Sequence, residues 1–506
     1  MPVGRSSHVW RRRALAVAAM ALVGSICIPL GRSQEDVSND PAPGADTEEI
    51  EPPRLGASEE ELQTWLTGRI DRAIRVHRVL ANSRVGILVK DLSTGATLYA
   101  RNHREGFNVA SNTKLVTAVA ALSLLGPDFR FQTTLAAEEV AEDGTIPGDL
   151  YVRSHADPTL TTWDLHQLAA ELAIAGITRI GGSIVVDGSY FDSKGSPPHF
   201  DEQPDEQAGF RAPVAATSLN FNTVALVVTP NPSGTGPAKV IIDPKNQYVK
   251  VKGQVLTVSS GRTRIRVESA AKRGFLEVEL RGQIRREIRK KRYRLRVPNP
   301  EAYLGSALKE LLADRGIKVA GKRTRRGKTP DRAKVLATRE SPALAEIVRA
   351  LGKYSNNFVA EMLLKTIGAE SLGSGARPAT WNDGLEAVRQ FLTDTLGVEG
   401  DFYYGNGSGL FESNRFTPEQ IVTVLSAAYR DFRIGPDFVS SLSIAGADGT
   451  LRRRMSNRPS ERLVRAKTGT LDHVSALGGY VAVDGRVPVA FSIVVNDVPK
   501  WRTGDA

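Results

Sequence analysis

Residues 115–125 are apolar at nine of eleven positions. Those side chains fall on every face of a helix rather than along one stripe, so the helix belongs at the centre of a domain. Gly126 and Pro127 close it, because glycine suits a helix end and proline cannot extend one. At its mouth, in "SNTKL", Ser111 and Lys114 stand three residues apart and share one helix face. A serine hydroxyl is a poor nucleophile until a base takes its proton. A lysine is that base only where burial or a second cation disfavours its charged form. The apolar helix offers the burial, and its first turn offers N–H groups and a positive dipole end for a developing oxyanion. The plainer reading makes Ser111 an N-cap with a lysine nearby.

Two later stretches decide between them. In "GKYSNNFVAEMLLK", Ser355, Asn356 and Asn357 precede a second apolar helix. These residue types favour turns and caps, but Ser355 also suits a proton relay and the Asn357 amide suits a substrate amide. In "RAKTGTLDHV", Lys467 ends a strand and Thr468 and Gly469 follow. Lacking a side chain, Gly469 admits another extended backbone at the strand edge. Lys467 then offers a fixed cation to a carboxylate, and the Thr470 N–H a second oxyanion donor. Each motif alone is common. Together, at helix start, helix-flanking loop and strand end, they specify serine acyl transfer.

These motifs, with "ADPTLT", "SLNFNTVAL", "NGSGLFESNRFTP" and "AGADGTLRRR", resemble the D-alanyl-D-alanine carboxypeptidase/endopeptidases of the low-molecular-mass, class C penicillin-binding proteins. The similarity runs from about residue 58 to 498. It implies a mixed α/β (α+β) fold of the serine β-lactamase/penicillin-binding type: an antiparallel sheet with helices on both faces, interrupted by strand-rich inserted subdomains. It also implies a penicillin-sensitive acyl-enzyme acting on peptidoglycan stem peptides and on β-lactams. In that scheme Ser111 attacks, Lys114 is the base and Ser355 passes a proton to the leaving D-alanine. Lys467 and Thr468 hold the carboxylate, Asn357 orients the stem peptide, and no cofactor is needed. Two departures stand out. Asn406 occupies a position where the family often has Asp, and the residues after "FSIVVND" leave no room for the closing helix such domains carry. The alternatives are a serine β-lactamase, opposed by the lack of a Glu-x-x-Leu-Asn motif, and a wall-binding relative that does not acylate.

Length divides the rest. A chain of 506 residues exceeds one ordinary core. Arg11, Arg12 and Arg13 precede an apolar run to about Leu30, the layout of a secretory signal over 1–33 and hence of a periplasmic protein. Residues 34–57 read as an acidic, proline-rich disordered linker. Order should begin at the Ser58/Glu61 capping box. A helix and the hairpin of "VGILVKDL" and "TLYARN" follow. The catalytic domain is expected over 58–130 and 336–506, with β-rich subdomains over 131–335. The last three apolar runs read as antiparallel neighbours in one sheet.

Other signals carry less. The only cysteine, Cys27, lies in the signal segment, so disulfides and thiol catalysis are excluded from a cleaved chain. The histidines form no metal-ligand spacing, and His473 reads as a strand histidine rather than a base for Ser111. The stretch 281–296 has nine Lys or Arg in sixteen positions. Nucleic acid is not a partner expected of an exported chain. The alternation of Ile284, Ile288, Tyr293, Leu295 and Val297 suggests strands with solvated charges, and contact with an anionic envelope surface is the sharper alternative.

Overall fold

The computed structural model describes residues 58–200, 211–373, 377–483 and 486–498. The expected signal, the linker and the segment after residue 498 lie outside them. The chain forms two compact units. One comprises Met1–Pro127, Val348–Asn356 and Val388–Ala506, the other Asp128–Ile347 and Asn357–Ala387.

In the first unit, helix α1 (Glu59–Val76) opens on the expected capping box: the Ser58 hydroxyl accepts from the Glu61 N–H, and the Glu61 carboxylate accepts from the Ser58 N–H. Strands β1 (Arg84–Asp91) and β2 (Thr97–Arg101) pair as the antiparallel hairpin. Helix α2 (Thr113–Leu125) is buried from Thr113 to Leu122. After helix α3 (Pro418–Arg430) come β3 (Ser443–Ile444), β4 (Val464–Leu471), β5 (Val474–Val483) and β6 (Arg486–Asn496). The six strands form one antiparallel sheet in the order β2-β1-β6-β5-β4-β3.

Strand alternation gives the sheet two unlike faces. Val85, Ile87, Leu477, Phe491 and Ile493 share one face and pack on Leu66, Ile70 and Ile74 of α1. A core leucine such as Leu66 contributes roughly 2–5 kcal/mol by truncation to alanine. This helix covers that face of the sheet. The other face carries small residues, and they are required there. A Cβ on Gly86 would lie 2.5 Å from the Phe107 ring, and one on Gly478 would lie 3.1 Å from Leu115 of α2 and 3.5 Å from Ile421 of α3. The Tyr480 hydroxyl completes that contact by donating to the Leu425 carbonyl of α3 at 2.7 Å.

The second unit holds a five-stranded mixed sheet, with helices Thr162–Ile174 and Pro300–Asp314 contributing to its core. It also holds the strand-rich part expected from the sequence, a three-stranded sheet around Thr223–Thr229 and a four-stranded sheet containing Val249–Val258, Arg264–Lys272 and Phe275–Arg285. Ile284, Leu295 and Val297 are buried there while the neighbouring basic residues face solvent, as the strand reading of 281–296 requires.

Candidate active site

Ser111 lies in a 3-10 turn, Ala110–Asn112, directly before α2. Its hydroxyl makes no capping bond. It accepts instead from Lys114 Nζ at 2.9 Å, so the plain N-cap reading does not hold. The preceding Ala110 has φ +46°, in the left-handed region that an alanine adopts only when its surroundings enforce it. Two glycines do so. A Cβ on Gly409 would lie 1.9 Å from the Ala110 carbonyl oxygen, and one on Gly469 would lie 2.7 Å from the Val109 carbonyl oxygen. The backbone that Gly469 admits is therefore the turn that carries Ser111.

Lys114 is 1% exposed and donates to the Ser408 carbonyl at 2.6 Å. The loop bearing that carbonyl is fixed from both ends. Thr117 of α2 donates to the Gly407 carbonyl and bonds the Tyr404 hydroxyl, each at 2.7 Å. Asn406 accepts from Gly409 N and from Asn414 Nδ2, and donates to the Ser413 hydroxyl at 2.6 Å and the Leu410 carbonyl at 3.2 Å. A carboxylate has no N–H for the last two bonds. Asparagine is thus well matched to this turn, whatever the family's habit at the position.

Ser355 follows the helix Leu344–Tyr354 with φ +56°. Its N–H bonds the Leu351 carbonyl, and its hydroxyl accepts from Lys467 Nζ at 2.8 Å. Lys467 on β4 is 1% exposed and also donates to the Thr468 carbonyl at 2.8 Å. Burial pushes its pKa down to about 7. The sequence suggested a fixed cation here. The buried setting makes one that titrates near neutrality, since a desolvated ammonium is disfavoured.

The remaining predicted residues divide by place. Thr468 donates its hydroxyl to Thr450 at 2.9 Å, and Thr470 is exposed on β4 opposite Ser475 of β5. Asn357, half-buried, is the first residue of the helix Asn357–Leu372 and belongs to the second unit. His473 sits in the turn between β4 and β5, not in a strand, with Nδ1 2.8 Å from the Val498 carbonyl.

Sequence reasoning missed three contributors. Asn112, between nucleophile and base in the chain, is fully buried. With its amide oriented to satisfy both ends, it donates to the Lys467 carbonyl at 2.8 Å and accepts from Gly478 N at 3.1 Å, joining the Ser111 turn to β4 and β5. The Ser408 contact is a backbone carbonyl, which no residue identity announces. Thr450 follows Gly449, whose φ of +56° turns the chain, and nearby Asp448 accepts from buried Lys353 at 2.7 Å.

A hydroxyl on a lysine amine, a second hydroxyl on a second buried lysine, and a threonine beside it form the constellation of serine acyl transfer. Residues 66–505 match the model of the D-Ala-D-Ala carboxypeptidase 3 (S13) family. The chain belongs to this family. S13 members are serine peptidases, and this one is accordingly a D-Ala-D-Ala carboxypeptidase-type hydrolase. It is 34% identical to the D-alanyl-D-alanine carboxypeptidase of Actinomadura sp. (strain R39) over 81% of this chain and 77% of that one. It is 28% identical to D-alanyl-D-alanine carboxypeptidase DacB of Haemophilus influenzae over 84% and 87%. The crystal structure of penicillin binding protein 4 from Haemophilus influenzae superposes with a TM-score of 0.70 at 26% identity, covering 84% of this chain and 92% of that one. A second structure of that protein holds a β-lactam.

Proposed function

We propose that Ser111 is the nucleophile and Lys114 its base in a carboxypeptidase and/or endopeptidase of peptidoglycan stem peptides. The observation that carries this is the 2.9 Å contact between Ser111 Oγ and the buried Lys114 amine. Ser111 Oγ attacks the carbonyl of the penultimate D-alanine while Lys114 takes its proton. The N–H groups of Ser111 and Thr470 receive the oxyanion. Ser355 delivers a proton to the leaving amine, drawing on Lys467 through their 2.8 Å bond. Lys467 and Thr468 hold the terminal carboxylate, whose approach raises the Lys467 pKa and restores its charge. Asn357 orients the stem peptide, and water then releases the shortened peptide. A β-lactam enters the same way, but its leaving amine stays tethered.

Export to the periplasm is part of this reading and rests on the N-terminal arginines and apolar run. Among the described residues no helix is long and apolar enough to cross a membrane.

A fluorescent penicillin tests the assignment. The folded chain should label stably, release D-alanine from a pentapeptide and split a cross-linked dimer into its two peptides. Ser111→Ala should abolish the label. Lys114→Ala should keep the fold and slow acylation by about 10²–10⁴-fold, the span of a positioned general base. Labelling of Ser111→Ala, or no label on folded protein, overturns the proposal. Loss of the label within seconds would instead indicate a β-lactamase.

A further inference from the structure

The chain's net positive charge arises in one segment. Residues 239–296 hold 18 Lys or Arg against five Asp or Glu, net +13, while the rest of the chain holds 49 against 51, net −2. The five carboxylates are already engaged: Asp243 with Arg292, Glu268 with Arg266, Glu277 with Lys252, Glu279 with Arg281, and Glu287 with Arg285 and Arg286. Arg264, Arg289, Lys290 and Lys291 are exposed and have no carboxylate partner among the described residues.

The strand register concentrates this charge rather than spreading it. Arg266 lies directly opposite Arg281 across neighbouring strands; each has a carboxylate partner on its own strand, Glu268 and Glu279, while Arg264 and Lys291 beside them have none among the described residues. Arg264, Arg266, Arg281 and Lys291 line one shallow cleft together with Tyr293. Such a cluster recruits a polyanion and accelerates encounter with it. Eleven of the 18 cations are arginines, whose planar fork matches phosphate oxygens two at a time.

We infer that this strand-rich lobe docks the enzyme on a linear, phosphodiester-linked anionic glycopolymer of the cell wall. The choice of a wall polymer among polyanions rests on the peptidoglycan reading above. A lipid surface is a poorer fit, because Ile241 and Leu256 are the only large apolar side chains of 239–296 exposed enough to insert. Nucleic acid is a poorer fit because Tyr293 is the one aromatic ring of the cleft, short of the stacking platform single strands need. Docking at a second site raises the enzyme's local concentration on the wall that contains its substrate.

The test uses the full chain and a fluorescently labelled poly(glycerol phosphate) polymer, read by anisotropy. Binding should weaken by at least tenfold between about 50 and about 200 mM salt as counterions are released. The quadruple variant Arg264→Glu, Arg289→Glu, Lys290→Glu, Lys291→Glu should lose at least about tenfold in affinity. Its penicillin labelling and its D-alanine release from soluble pentapeptide should match wild type. Undiminished polymer binding by that variant overturns the inference. So does tighter binding by wild type to phosphatidylglycerol vesicles or duplex DNA than to the polymer. Polymer binding without penicillin labelling would leave the docking surface standing and remove the catalytic proposal instead.

Discussion

Replacing Lys467 by methionine should remove one component of the first unit's response to pH. Burial lowers this lysine from 10.5 to about 7. Because the folded-state pKa is depressed, the unfolded chain binds the extra proton between those values, and stability rises with pH across the window. Below pH 7 the full penalty applies, and above 10.5 none does. The whole shift amounts to about 5 kcal/mol at 1.36 kcal/mol per unit. At pH 8 the native lysine is about one-tenth protonated and the unfolded one almost fully so. The slope there is about 1 kcal/mol per pH unit. A two-unit chain need not unfold in one step, so the assay is native-state hydrogen exchange at the β4 and β5 amides, which reports their local opening free energy. The wild-type value minus that of Lys467→Met should climb by just over 1 kcal/mol per pH unit from about pH 7.5 to 9.5. Methionine also forfeits the bonds to Ser355 and Thr468, which offsets the absolute difference but not its slope. A difference independent of pH would refute the buried, titrating lysine.

Two other substitutions probe the scaffold. Gly469→Ala places a Cβ 2.7 Å from the Val109 carbonyl and 3.2 Å from the Ala110 Cβ. Overpacking of this kind costs about 1–3 kcal/mol, and because the displaced segment carries the nucleophile, penicillin acylation should fall by about 10²-fold; acylation at the wild-type rate would contradict the clasp. Thr450→Val removes the partner of the Thr468 hydroxyl. The KM for pentapeptide should rise about fivefold, the equivalent of one hydrogen bond, with kcat unchanged. A peptide with an amidated C-terminus should be unaffected, and equal losses on both substrates would argue against carboxylate positioning.

The parts legible in the sequence were those whose physics is local. An all-round apolar helix announces its own burial, a serine followed three residues later by glutamate announces a capping box, and alternating runs announced β4 to β6. Spacing put Ser111 and Lys114 on one face, and the two later motifs chose the nucleophile reading over the cap. What could not be read depends on remote partners. Nothing in "SNTKL" distinguishes Asn112 as a bridge to β4 and β5, because its bonds cross more than 350 positions of chain. The titrating character of Lys467 comes from the surroundings that desolvate it, not from the Lys-Thr-Gly tripeptide. Likewise Ser355-Asn-Asn357 reads as one motif, yet a boundary between compact units falls inside it, after Asn356.

The clasp around residues 109–111 has a consequence for how acylation responds to temperature. Gly409 and Gly469 on one side, and the Asn112 amide on the other, immobilise the nucleophile's backbone when the chain folds. Little ordering of that segment is left for the moment of attack. The activation entropy of acylation at saturating ligand should therefore lie near zero, with the barrier almost wholly enthalpic. Loosening the clasp at either glycine would shift the loss of rate into the entropy, so that an Eyring plot changes mainly in its intercept.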